Sequence, residues 1–410
     1  MNTVKSKFKG NLKQYSMLIA LVVIIIFFSF LTEGRLLKPM NVSNVVFQNA
    51  YVVILAIGML LCILTGGNID LAVGSVVALV SAFAGQFIIV WHWNVYLSVV
   101  LCLLIGILVG AWQGFWIAYV RIPAFIVTLS GMLVFRGFTL LVLNGMTLSP
   151  FPEEYLQYST GFIAKEAKTL LFGVNVNYVC LIAGVAVALI FCIAQLINNR
   201  ARKRKGYETD GGLAMALKML IISAALIWFF TLLAQYQGIP SVLVILGILL
   251  IVYTFFTTKT VAGRHIYAIG GNEKAARLSG VKTNRLLFFA YVNMGFLAAV
   301  GGMVFAARLN SASPVTGLNF ELDAIGACYI GGASAYGGIG TVGGTLIGAL
   351  IMGVLNNGMS IMGISSNTQQ VVKGLVLLGA VAFDVISKMN LDLFPKRKKA
   401  AVVVKGDSAN

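Results

Sequence analysis

Residues 43–75 read SNVVFQNAYVVILAIGMLLCILTGGNIDLAVGS. The run from 43 to 65 is long enough to cross a bilayer, since roughly 20 helical residues, each rising about 1.5 Å, span a hydrocarbon core about 30 Å thick. It stops at the polar, flexible break Thr65-Gly66-Gly67-Asn68-Ile69-Asp70, and a second apolar run follows at once. Outward from this stretch the pattern recurs at 15–32, 71–91, 95–120, 123–144, 172–198, 213–235, 239–256, 286–307, 324–338, 342–362 and 366–387. Several runs are short or touch each other, and 324–338 reads as a short or re-entrant segment. The chain is therefore read as an all-α polytopic membrane protein. About ten transmembrane helices are expected, twelve at most, some of them broken or re-entrant.

Composition agrees. Of 410 residues, 59% are hydrophobic and 10% charged, where a soluble domain is about a quarter charged. The net charge of +17 would suggest nucleic acid in a soluble protein. Here Lys and Arg are expected in cytoplasmic loops, where they set orientation, so no nucleic-acid partner is expected. Basic residues gather at Arg200, Arg202, Lys203, Arg204 and Lys205, between Lys259 and Arg285, and at Lys396–Lys399. The segment 150–170, with Glu153, Glu154 and Glu166, is net negative and reads as external. Both termini are then cytoplasmic and the number of spans even. One transmembrane domain over 1–410 is expected. Its cytoplasmic parts are 1–14, a linker at 199–212, a loop at 257–285 and a tail at 388–410. The basic start (Lys5, Lys7, Lys9, Lys13) and its apolar sequel read as an uncleaved first helix, because no small-residue cleavage site follows.

Cys62, Cys102, Cys180, Cys192 and Cys328 stand singly in apolar runs and read as buried thiols. His92 and His265 are far apart, so neither a metal site nor a catalytic triad is expected. Trp91-His92-Trp93 reads as an aromatic belt at a membrane face.

Glycine carries the next signal. Gly106, Gly110 and Gly114, and likewise Gly340, Gly344 and Gly348, have the spacing that lets helices approach closely. The stretch 326–358 holds 11 glycines and resists forming one straight helix. Broken backbone at membrane depth lines a cavity or is covered by protein. The break at 65–75 has two readings: Asn68 and Asp70 hydrogen-bond a polyol, or Asp70 caps the next helix. Arg136, Lys373 and Asp384 lie within apolar runs and face a cavity, a partner charge or an interface. Asn68, Asp70, Thr128, Arg136 and Asn144 are the candidates for a translocation pathway. In the loop GRHIYAIGGNEKAARLSG (263–280), Asn272 suits an N-cap, Glu273 the positive end of a helix dipole, and Gly280 a terminator. Such a short helix outside the membrane can dock into a partner.

At this loop the chain resembles the permeases of ribose/xylose/galactose-type bacterial ATP-binding-cassette importers. Further stretches match in order: NIDLAVGS (68–75), IPAFIVTLSGMLVFRG (122–137) and IGGASAYGGIGTVGGTLIGALIMGVLNNGMS (330–360). The xylose or multiple-monosaccharide permeases are the most similar, through ELDAIGACYIGG (321–332) and the basic insertion near 200–212. The resemblance implies alternating access in the bacterial inner membrane. It also implies a permease homodimer among membrane lipid, an extracytoplasmic sugar-binding protein, and a separate ATPase subunit holding ATP and Mg. Gly271, Asn272, Glu273, Ala275, Ala276 and Gly280 are then the ATPase-coupling residues. The chain itself has no Walker P-loop. No catalytic residue, bound cofactor or metal is expected of it. The rival readings are an ion-gradient-driven sugar carrier, a membrane enzyme and a membrane scaffold.

Overall fold

The computed structural model describes residues 2–171, 174–206 and 212–389. Part of the linker expected at 199–212 and most of the tail expected at 388–410 lie outside them. The fold is all-α apart from two short strand pairs. Among the described residues, ten helices are long and apolar enough to cross a membrane. These are α2 (Pro39–Leu64), α3 (Val73–Gly85, continued by a π-turn to Val90), α4 (Val95–Ala118) and α5 (Ala124–Leu143), then α7 (Tyr178–Arg204), α8 (Gly212–Ala234) and α9 (Ser241–Lys259), and finally α12 (Thr283–Leu309), α14 (Val342–Ile361) and α15 (Ser366–Met389). Two further elements bring the number toward twelve: α1 (Asn2–Leu31) and the half-length α13 (Phe320–Ile330). The eleven residues of α13 rise only about 16 Å, so the short run near 324–338 is a half-helix ending in a turn. Outside the long helices lie α6 (Glu153–Thr160), α10 (Val261–Gly271) and α11 (Glu273–Leu278). Strands β1 (Phe162–Ile163) and β4 (Ile239–Pro240) pair antiparallel, as do β2 (Lys168–Leu171) and β3 (Val174–Asn177).

The centre of the body is built on α2, flanked by α3, α12, α13 and α14. Close approach there depends on glycine. A Cβ on Gly106 or Gly110 would strike backbone of Gly295 or Tyr291 in α12, and one on Gly348 would strike Ala327 of α13. The expected packing role of Gly106, Gly110 and Gly114 is what α4 shows against α12. The second triplet is corrected. Gly344 and Gly348 lie in α14 and face α13, but Gly340 precedes the helix, at φ 154°, where only glycine is at ease.

The cysteines divide as well. Cys62, Cys102, Cys180 and Cys328 are buried and point their thiols at carbonyls of neighbouring helices, at 3.7, 3.8, 3.3 and 3.2 Å respectively. Cys192 is only half-buried, beside Ser223, because the α7–α8 hairpin has few neighbours. Trp91 and Trp93 cluster with Phe87 where α3 ends.

Contacts fix which helix ends share a face. The Gly338 amide donates to the Leu64 carbonyl at the end of α2 (3.2 Å), and Gly270 of α10 is pressed between the same two residues. At the opposite face, Leu148 after α5 bridges Ala312 after α12, and Asn310 accepts from the Phe151 amide at 2.8 Å. From Ala312 the chain turns back inward, since Gly317 packs against Gly74 at the start of α3. It then runs down α13 beside α2, with Asp323 at Tyr51 and Cys328 at Ala56. Residues 310–330 thus form one pass, its first half a run of turns and its second half helical.

Candidate functional site

Both chain breaks meet the short helix α10 at one place. Gly66 and Gly67, with φ 123° and 77°, lie against Ala335, Tyr336 and Gly337, while Gly337 and Gly338 have φ 85° and 69°. Gly270 fits between Leu64 and Gly338 with no room for a Cβ, and the Tyr267 hydroxyl donates to the Gly340 carbonyl at 2.8 Å. The turns at 66–67 and 337–338 and the end of α10 at 270–271 are packed backbone to backbone. Side chains there would separate them, so the glycines of the sequence are explained by contact as well as by flexibility.

The short helix has the expected ends and one unexpected neighbour. The Asn272 side chain accepts from the Ala275 amide at 3.0 Å, and Gly280 ends the turn at φ 84°. Preceding it is a second helix, α10, capped by Thr260, which sequence reading left unassigned. Of the candidate residues, Gly271, Asn272, Ala275 and Gly280 are exposed. Ala276 is buried against the permease body and is a seat for the helix, whereas Ala275 faces outward. Leu278, 90% exposed, is an outward apolar side chain beside Ala275.

Glu273 turns toward the body. Its Oε1 meets Arg121 Nη1 of the α4–α5 turn at 2.8 Å and Arg277 Nη2 at 3.2 Å. Arg121 also donates to Asn284 of α12. Partial burial alone would raise the Glu273 carboxyl, but the Arg121 hydrogen bond and charge, then Arg277, hold it below the usual carboxylate range.

The pathway candidates do not converge. Asp70 is buried and its Oδ1 accepts from the Ala72 amide at 2.8 Å, the helix-start reading of that residue. Asn68 folds back on Thr65, 3.2 Å from its hydroxyl. Thr128 is buried and returns its hydroxyl to the Ala124 carbonyl of its own helix at 2.9 Å. Asn144 is exposed and ends α5 in the left-handed conformation. Arg136 alone reaches across, donating to the Pro314 and Thr316 carbonyls at 2.9 and 2.6 Å. It supplies donors to two carbonyls of the turns that precede α13.

A second charged group was not among the candidates. Asp323, on α13, is paired with Lys373 of α15 at 2.9 Å and accepts from the Tyr51 hydroxyl at 2.9 Å. Lys373 was legible as an intramembrane charge; its partner was hidden in the glycine-rich stretch. The Asp384 carboxylate, near the other end of α15, accepts from the Ala335 amide at 3.3 Å. Two clefts, of about 320 and 480 Å³, lie between α1, α14 and α15 and are lined by apolar side chains such as Ile24, Phe27 and Leu355. None of the polar candidates lines them. Among the described residues no group of three His, Cys, Asp or Glu is placed to hold a metal ion.

Sequence comparison gives the arrangement its setting. Residues 41–381 match the model of the branched-chain amino acid transport system / permease component family. The chain is 37% identical to the xylose transport system permease protein XylH of Escherichia coli K12, covering 92% of this chain and 93% of that one. It is 37% identical to the XylH of Haemophilus influenzae, covering 93% and 98%. It is 35% identical to the ribose import permease protein RbsC of Escherichia coli K12, covering 92% and 95%. No solved structure matches the chain. A chain matched from 41 to 381, with ten membrane-length helices around a glycine-built centre, belongs to the branched-chain amino acid transport system / permease component family.

Proposed function

We propose that this protein is the membrane-spanning subunit of an ATP-driven importer that passes a monosaccharide, xylose or a related pentose or hexose, by alternating access. The observation that carries the mechanism is the junction of the turns at 66–67 and 337–338 with the end of α10 at 270–271. It joins the helices outside the membrane to both breaks in the membrane-spanning backbone. A displacement of α10–α11 therefore bears directly on the ends of α2 and α13. The likeness to xylose and ribose permeases supports the sugar class.

The α11 face is the cytoplasmic one in this reading, because Arg264, Lys274, Arg277, Lys282 and Arg285 gather there. Both termini then lie inside. A separate ATPase subunit seats α11 through Ala275 and Leu278, and supplies the ATP and Mg chemistry. A sugar-binding protein delivers its load at the opposite face, and two permease copies, surrounded by lipid, enclose the path. The test is labelled xylose uptake by vesicles holding the permease, its ATPase and its binding protein. Uptake that needs internal ATP and survives collapse of ion gradients is expected. Gradient-driven uptake without the ATPase would replace this reading with a secondary carrier.

A further inference from the structure

Arg121 and Arg136 lie at two points of one helix, and each grips something outside it. Arg121 sits in the turn before α5 at φ 68°, a left-handed backbone that a residue with a side chain adopts only at a cost. That geometry aims its guanidinium at Glu273 of α11, at 2.8 Å, and at Asn284. Pro123 then caps α5. Twelve residues after the first of the helix, or about 18 Å along its axis, Arg136 holds the Pro314 and Thr316 carbonyls. Those carbonyls belong to the irregular half of the 310–330 pass, a run of turns in place of a continuous helix. The helix between the two arginines packs chiefly on α3 and shows Phe125, Leu133 and Leu141 to the bilayer.

We propose that α5 is a rigid link that carries the motion of α11 to the turn segment 310–319, with Arg121 as the positioning residue at its inner end. The inference rests on the importer reading. It adds a second route to the glycine junction: the junction acts on the turn after α13, the link on the segment before it. Both ends of the 310–330 pass are then moved from one face.

The test compares sugar transported per ATP hydrolysed in the reconstituted importer. Arg121→Ala is expected to keep the ATPase bound and hydrolysing while sugar per ATP falls about fivefold or more, the low end of a coupling effect. Arg121→Lys keeps a charge and should keep part of the coupling. Arg264→Ala, an exposed cation of the same face, should match the wild type. Because the two arginines act in series, Arg121→Ala with Arg136→Ala should lose no more than the worse single variant. A loss equal to the product of the two overturns the link, as does unchanged sugar per ATP in Arg121→Ala. Loss of ATPase binding in Arg121→Ala also overturns it, since Arg121 would then only hold the docking helix in place. A wild type that moves no sugar with ATP sinks the importer reading alone. The link is then read from thiol labelling at Gly137→Cys, a position on α5 with open space around it. Arg121→Ala changes that labelling rate if α5 is held from α11, and an unchanged rate rejects the link.

Discussion

Helices α2 and α7 show how little hydropathy says about position. The most apolar window of α7 has a mean hydropathy of 2.7 and is 17% buried; that of α2 has 2.2 and is 83% buried. α12 is less apolar still, at 1.8, and 67% buried. In a bilayer the apolar phase is everywhere, so burial of a helix is decided by how closely neighbours can approach and by which polar groups they satisfy. The centre is rich in glycine and carries Asn49, Tyr51, Asn293 and Asp323, each hydrogen-bonded to another helix. The α7–α8 hairpin packs mainly on itself.

The largest effect is expected where a peripheral helix breaks this rule. The apolar window of α15 is unburied, yet Lys373 ties it to the buried Asp323. Lys373→Met strands that carboxylate and should cost about 3–5 kcal/mol, read as lost thermal stability in detergent. Lys373→Met with Asp323→Leu should recover most of it, because an apolar pair replaces the ion pair. Next comes Gly348→Val, whose Cβ would strike the Ala327 backbone; about 3 kcal/mol is expected. By contrast Gly184→Ala in α7 would press only on the Phe230 side chain, and about 1 kcal/mol is expected. The same stability assay checks both. Gly247→Ala, with nothing near its Cβ, should change stability by less than about 0.5 kcal/mol. Equal losses at 348 and 247 would remove the distinction between centre and periphery.

A further small effect lies outside the membrane. The Glu273 carboxyl is held below its ordinary value by Arg121 and Arg277, against a contribution from burial that raises it. Its folded pKa is depressed, so its contribution to seating α11 is full above the unfolded value of about 4.3 and is lost as pH falls through the folded one. The pair is partly exposed, so about 1 kcal/mol or less is at stake. Amide protection over 272–279 should therefore hold at neutral pH and fall only below the ordinary carboxylate range. Glu273→Gln should show lower protection at neutral pH and match the wild type once the carboxyl is protonated.

Much of this was legible from residue order. The apolar runs locate the long helices, the short run near 324–338 marks the half-helix, and Asn272 and Gly280 write the ends of α11. Asp70 resolves to a helix start. What escaped was written in backbone. Arg136 grips two carbonyls, and a carbonyl has no letter in the sequence. Gly340 looked like one face of a helix because spacing alone cannot tell a helix from the turn before it. The meeting of Gly66, Gly270 and Gly338 joins positions about seventy to two hundred and seventy residues apart, and no local pattern links them. Glu273 was read for its helix dipole, and its partner Arg121 lies 152 residues away in the α4–α5 turn.

The buried thiols have a practical corollary for anyone wishing to watch this protein move. Cys62, Cys102, Cys180 and Cys328 are sealed from water and engaged with neighbouring backbone. A maleimide dye should pass them by, leaving Cys192 as the native background to remove. A single Cys192→Ser change then opens the chain to fluorescent reporters placed one at a time on α5, α11 or α15, with the centre of the molecule left as it is.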